Sequence, residues 1–249
     1  MTSSEPVRAG LAAVAFLTRI PVGRLAPLDA RDVARGAALF PLVGAGVGAA
    51  AGVLADLLVP GLPGLVAGAL AVGLAALVTG AMHLDALADT IDALGGTTRE
   101  RALEIMRDHS IGAFGAVGLC LVCLVNASAI GALAVQDEAW LAGLVAGAVG
   151  RAAILPLARA LPYARAGEGQ GRVLEGIGWG GVAVGVAVAV GLAVAAGAQG
   201  IAAAAAAALT AVVLLLFFRA WLDGITGDCL GATAALCESA ALVAFLAAR

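Results

Sequence analysis

The chain has 249 residues, 62% of them hydrophobic and only 12% charged, with a formal net charge of −3. Soluble domains average about 45–50% apolar and about 25% charged residues, and the mean hydropathy here is +1.05, so an ordinary water-soluble globule is excluded. All basic residues are Arg, and the four cysteines lie in apolar stretches; Cys120 and Cys123 lack the second Cys or His pair that a zinc site needs.

The first apolar stretch, residues 9–18, is short and runs straight into Arg19 without a small-residue cleavage site. It reads as an amphipathic or re-entrant helix rather than a cleaved signal. Seven later windows approach the about 20 apolar residues that a spanning helix needs: 36–59, 64–82, 111–135, 139–161, 178–198, 201–221 and 230–248. The first two are separated by Pro60-Gly61-Leu62-Pro63, whose punctuation marks a tight turn. The expected fold is therefore all-α, a polytopic transmembrane bundle of about seven spans forming a single domain over residues 1–249.

The arginines alternate with the spans. Arg8, Arg19, Arg24, Arg31 and Arg35 precede the first, Arg99, Arg101 and Arg107 lie between the second and third, Arg159, Arg165 and Arg172 lie at or beyond the end of the fourth, and Arg219 lies at the end of the sixth. The alternate connections 60–63, 136–138 and 199–200 carry no basic residue, and Arg249 is the single exception. The positive-inside rule then puts the N-terminus in the cytoplasm and the C-terminus outside.

The longest cytoplasmic connection, residues 83–110, holds the densest polar cluster. Asp85, Asp89 and Asp92 are spaced i, i+4, i+7, on one face of a helix expected to continue the second span past the membrane surface. Like charges at that spacing repel. They require a cation, a proton or full solvation, and Mg²⁺, commonly held by one or two carboxylates with substrate phosphates and water, is the simplest answer. His83 lies roughly opposite this face and reads as a capping or substrate-contact residue. Arg107 suits phosphate oxygens or a plain positive-inside anchor, and Gly112 and Gly115 permit close backbone approach. Farther on, residues 162–172 form a glycine-rich connection without a P-loop pattern. Asp228 opens the last span, as N-cap or as a functional acid. Glu238 lies ten residues deeper, about 15 Å along a helix, where a carboxylate needs a cavity or a partner such as Arg151. Asp56 reads as an interfacial residue.

These residues together resemble the cobalamin synthase (adenosylcobinamide-GDP ribazoletransferase) family. The resemblance runs through Phe16-Leu17-Thr18-Arg19-Ile20-Pro21-Val22, Phe40-Pro41-Leu42-Val43-Gly44, His83-Leu84-Asp85 with Asp89 and Asp92, and Ile105-Met106-Arg107-Asp108. It continues through Ile111-Gly112, Phe114-Gly115, Gly227-Asp228 and Leu230-Gly231 to Glu238. Ala86 and Ala93 stand where the family pattern has Gly. The resemblance implies a multi-pass enzyme of the cytoplasmic (inner) membrane that joins α-ribazole or its 5′-phosphate to adenosylcobinamide-GDP, releases GMP and depends on Mg²⁺. On that basis Asp85, Asp89 and Asp92 are expected to hold the metal and the diphosphate. Asp228 is a further ligand or the base, Arg107 and Arg19 neutralise phosphate charge, and His83 joins them in the catalytic group. Arg165, Asp108 and Glu238 are expected to contact substrate. No nucleic-acid partner is expected, and the bundle can form a homo-oligomer.

Two other classes compete. An intramembrane prenyltransferase or CDP-alcohol phosphotransferase also places Asp-rich helices around a metal–diphosphate. The latter needs Asp-Gly-x-x-Ala-Arg, which Asp92-Ala93-Leu94 does not supply, and the former needs a second Asp-rich helix, for which only Asp223 and Asp228 answer. A proton-coupled carrier would use Glu238, but carriers place their polar site near the midplane between internal repeats, and the acids here crowd at one face.

Overall fold

The computed structural model describes residues 4–108, 110–165 and 170–249; His109 and positions 166–169 of the glycine-rich connection lie outside them. Helix α1 (Glu5–Leu17) starts with Pro6 in its first turn, where the missing N–H costs nothing. It buries a stripe of Ala9, Ala12, Ala13 and Leu17. Helix α2 (Ala30–Gly36) begins in a capping box between Asp29 and Asp32. Asp32 also accepts from the Arg8 guanidinium at 2.5 and 3.1 Å, fastening α1 to α2. A 3-10 turn leads into α3 (Phe40–Leu58), whose Phe40 stacks on Phe16 with centroids 5.4 Å apart.

Apolar helices follow in antiparallel succession: α4 (Gly64–Thr79), α7 (Ala113–Ala134), α8 (Ala139–Ala160), α9 (Trp179–Ala195), α10 (Gly197–Leu222) and α11 (Gly227–Ala247). Short helices α5 (Met82–Asp92) and α6 (Arg99–Ile105) intervene at one end. Among the described residues there is no strand, only an isolated bridge between Tyr163 and Ile225. Among the described residues five helices are long and apolar enough to cross a membrane, or six if α4 and α5 are counted as one bent span; α9, at 17 residues, is shorter. By length and composition the helices therefore fall below the expected count of about seven.

The second span does not run on as a straight helix into the aspartate segment. Gly80 and Ala81 both take left-handed backbone angles (φ 67° and 57°), and α5 leaves the axis of α4 at 95°. The Arg19 backbone N–H donates to the Val78 carbonyl at 2.7 Å, satisfying part of the exposed end of α4, and the Arg19 side chain packs over Gly80. A glycine is needed there: any Cβ would combine that contact with a strained φ.

Lipid offers no hydrophobic drive for helix association, so packing depends on close approach. Gly44, Gly48 and Gly52, one turn apart on α3, face Gly147, Gly143 and Ala139 on α8, and a Cβ on any of the three would meet backbone of the opposing helix. Gly64 and Gly68 of α4 meet Gly131 and Ala127 of α7 in the same way. Replacing Gly48 with Leu is expected to destabilise the bundle by at least the upper part of the about 1–3 kcal/mol usual for overpacking. Gly46, where an added Cβ meets nothing within 4 Å, is the control. A thermal unfolding scan in detergent should show a lowered midpoint for Gly48→Leu and none for Gly46→Leu.

Candidate active site

The α5 crosspiece is pinned at both ends. At its start it swings out of the Gly80–Ala81 break. At its end, Asp92 Oδ2 accepts from the Gly112 N–H at 2.7 Å and Oδ1 from the Gly115 N–H at 2.8 Å. Those groups belong to the opening turn of α7, so Asp92 supplies from another helix the cap that Gly112 cannot provide. Asp92, expected beside Asp85 and Asp89, is held against α7 and is not among the residues that line their cavity. Gly112 and Gly115 serve the same contact, since a Cβ on either would run into the Asp92 carboxylate. The helical face is shared as the spacing implied, but its last acid turns to α7.

Asp85 and Asp89 line a cavity of about 540 Å³ bounded by α1, α5, the segment after α6, the residues following α8, and the start of α11. Asp228 faces it from α11. It is not the N-cap of that helix: Thr226, fully buried, fills that position by accepting from the Cys229 N–H at 3.2 Å. Asp228 Oδ2 instead accepts from Arg165 Nη2 at 2.7 Å. Arg165 reaches the site because the chain leaving α8 pairs with the chain leading into α11: Ala164 N–H donates to the Ile225 carbonyl (2.8 Å) and Ile225 N–H to the Pro162 carbonyl (2.9 Å). Arg99, from α6, donates to the Leu222 carbonyl at 2.6 Å and to the Ala164 carbonyl at 3.1 Å, tying α6 to the same corner. Arg107 lines the cavity from just beyond α6.

Tyr163, the one tyrosine of the sequence, also lines the cavity. Burial pushes its phenol above the usual range, so at neutral pH it is an O–H that can donate. Sequence reasoning passed over it; its place between Pro162 and Arg165 in a polar connection was the available signal. Phe16 and Leu17 form an apolar wall. Ala86 has room because Gly231, opposite it on α11, has no side chain: a Cβ there would run into the Ala86 methyl.

His83 sits where two cavities meet. It lines the large one and also a smaller space of about 60 Å³ deeper in the bundle, with Asn126, Arg151 and Glu238. Its ring is 6% exposed and neither nitrogen has a hydrogen-bond partner among the described residues. Since buried polar groups are rarely left unpaired, the ring is available to a bound molecule. Glu238 forms an ion pair with Arg151, the partner anticipated from depth alone. It lies outside the large cavity, as do Arg19, packed at the α4–α5 break, and Asp108, which accepts from the Ser110 N–H at 3.0 Å. The structure thus brings Asp85, Asp89, Asp228, Arg107, Arg165 and His83 to one cavity and sets Asp92, Arg19, Asp108 and Glu238 apart from it.

The donor set suits a hard cation: carboxylate oxygens from two helices, with no thiolate lining the cavity. Among the described residues no three His, Cys, Asp or Glu side chains converge as a complete metal cage.

A family described as cobalamin-5-phosphate synthase matches residues 9–246. The chain belongs to that family. It is 38% identical over 249 residues to the adenosylcobinamide-GDP ribazoletransferase of Leptothrix cholodnii, covering 94% of this chain and 93% of the relative. It is 36% identical over 242 residues to the enzymes of that name from Shigella flexneri and Escherichia coli, covering 94% of this chain and 98% of each relative. No solved structure matches.

Asp92→Ala is expected to cost about 1 kcal/mol, the usual loss of a helix cap, and to release the far end of the helix that carries Asp85 and Asp89. The check is a lower unfolding midpoint together with a reduced catalytic activity, as proposed below, at a temperature where the variant is still folded.

Proposed function

We propose that the chain is an adenosylcobinamide-GDP ribazoletransferase, joining α-ribazole or its 5′-phosphate to adenosylcobinamide-GDP and releasing GMP, so completing the nucleotide loop of adenosylcobalamin. The observation that carries this reading is the single cavity into which α5 and α11 bring Asp85, Asp89 and Asp228 beside Arg107 and Arg165, in a chain matched to the family over nearly its whole length.

In the reaction the ribazole hydroxyl oxygen forms a bond to the phosphorus next to the cobinamide, and the bond from that phosphorus to the bridging oxygen breaks, with the electron pair leaving on GMP. Little covalent chemistry falls to the protein; positioning and charge neutralisation dominate phosphoryl transfer. Asp85 and Asp89, with Asp228, are the residues that would hold Mg²⁺, which when bound neutralises charge on the diphosphate oxygens. Arg107 donates to phosphate oxygens as charge builds on the leaving group. Arg165 orients the Asp228 carboxylate, leaving its second oxygen to take the hydroxyl proton or to meet the cation. The Tyr163 hydroxyl and the His83 ring are additional donors at the cavity wall.

The arginine distribution supports a cytoplasmic (inner) membrane location with this cavity on the cytoplasmic side. In a cysteine-free variant, a cysteine at Arg101 should be labelled by an impermeant maleimide only from the cytoplasmic side, and one at Gln199 only from the outside. The reverse pattern overturns the orientation.

Purified protein should release GMP from adenosylcobinamide-GDP and α-ribazole, with release lost on chelation and restored by Mg²⁺. Asp85→Ala and Asp89→Ala should reduce turnover to background, and Arg107→Ala by about 10²–10³-fold, each with an unchanged unfolding midpoint. Full turnover by Asp85→Ala would remove the assignment of this cavity as the active site.

A further inference from the structure

Another cavity lies between α8, α9 and α10, away from the site. It holds about 240 Å³, and its walls are almost wholly apolar. It exists because the facing side chains are too short to fill the gap: Ala152 and Ala153 on α8, Ala207 and Ala208 on α10. Val190 and Val212 on its rim are 46% and 55% exposed, so it opens sideways, toward what surrounds the bundle. For helices this apolar, that is the acyl-chain region of a bilayer.

The end of this cleft nearer the site is basic. Trp179, the first residue of α9 and 56% exposed, lies two turns before Val186 on the face that lines the cleft. The Arg159 guanidinium, in the last turn of α8, lies over the Trp179 ring at 5.2 Å. Arg219, in the last turn of α10, follows Leu215 by one turn, on the cleft-lining face and about 6 Å farther along the axis. Both arginines are exposed, and among the described residues neither forms an ion pair. A cation stacked on an indole keeps its N–H edge for an anion, and Arg binds phosphate oxygens in pairs. An apolar slot between helices, ending in two unpaired guanidinium groups and an interfacial tryptophan, has the pattern of an anionic-lipid site.

We propose that this cleft binds one anionic phospholipid of the surrounding membrane, its acyl chain between α8, α9 and α10 and its phosphate between Arg159 and Arg219. The occupant follows from charge complementarity: a helix of a second copy would fill the slot but bring no phosphate to its basic end.

Delipidated protein in detergent, titrated with phosphatidylglycerol or with phosphatidylcholine of the same acyl chains, tests this by native mass spectrometry. The wild type should retain one phosphatidylglycerol per chain under activation that strips phosphatidylcholine. Arg159→Gln with Arg219→Gln should weaken retention by about thirtyfold, and Ala208→Leu, which fills the slot, should abolish it. The arginine pair is exposed, so that variant keeps the test decisive if Ala208→Leu unfolds. Equal retention of both lipids, unchanged by the arginine pair, means unspecific annular lipid and overturns the proposal. A wild-type dimer that Ala208→Leu converts to monomer overturns it in favour of a second copy of the chain.

Discussion

A carboxylate reaching from one helix to the bare first turn of another decides how the reactive end of this molecule is built. Asp92 accepts two backbone N–H groups from the start of α7, and so fixes the far end of α5 after the 95° turn at Gly80–Ala81 has set its direction. With both ends held, Asp85 and Asp89 keep one orientation toward α11. The same device recurs at the opposite end of the bundle, where Asp56 of α3 accepts from the N–H groups of Ala139 (3.1 Å) and Trp140 (3.0 Å) at the start of α8. In apolar surroundings an unsatisfied N–H is costly, and neither N-cap residue, Gly112 of α7 or Glu138 of α8, makes a side-chain cap bond of its own. Borrowed carboxylates resolve that and tie helix pairs together in one contact.

The polar groups inside the bundle follow a second rule. Arg151 and Glu238 lie deep between α8 and α11 and answer each other, while the glycine rows of α3 and α8 let the backbones touch alongside. Removing one partner of such a pair leaves a buried charge uncompensated, a larger loss than the net worth of the pair itself. The pair belongs to the scaffold that holds α11, and with it Asp228, in register against α5 and α8.

Much of this was legible in the residues. Composition and the alternation of arginines pointed to a membrane bundle with its chemistry gathered at one end, and the i, i+4, i+7 aspartates to one helical face. Depth alone offered Arg151 as one candidate partner for Glu238. What the residues did not reveal has a common cause. Spacing says which side chains share a face but not what lies opposite, so Asp92 looked like its two neighbours until α7 was seen against it. Hydropathy averages over Gly80 and Ala81, whose left-handed turn it cannot register, and the aspartate helix was drawn as an extension of its span. Arg19 and Asp108 carry charges in the right segment, yet the fold directs them to a helix end and to the neighbouring Ser110 N–H. The row of Gly44, Gly48 and Gly52 shows its purpose only with α8 against it.

The dimensions of the principal cavity carry a consequence for what this protein can discriminate. About 540 Å³ accommodates a diphosphate and the groups attached directly to it, but not a corrin ring together with a guanine base. The bulky ends of the donor would then rest on the rim while only the linkage between them is enclosed. Selection at the reacting centre would rest on the junction, and tolerance toward different bases in the incoming nucleoside would be a property of the fold, set by how much of that base projects beyond the wall.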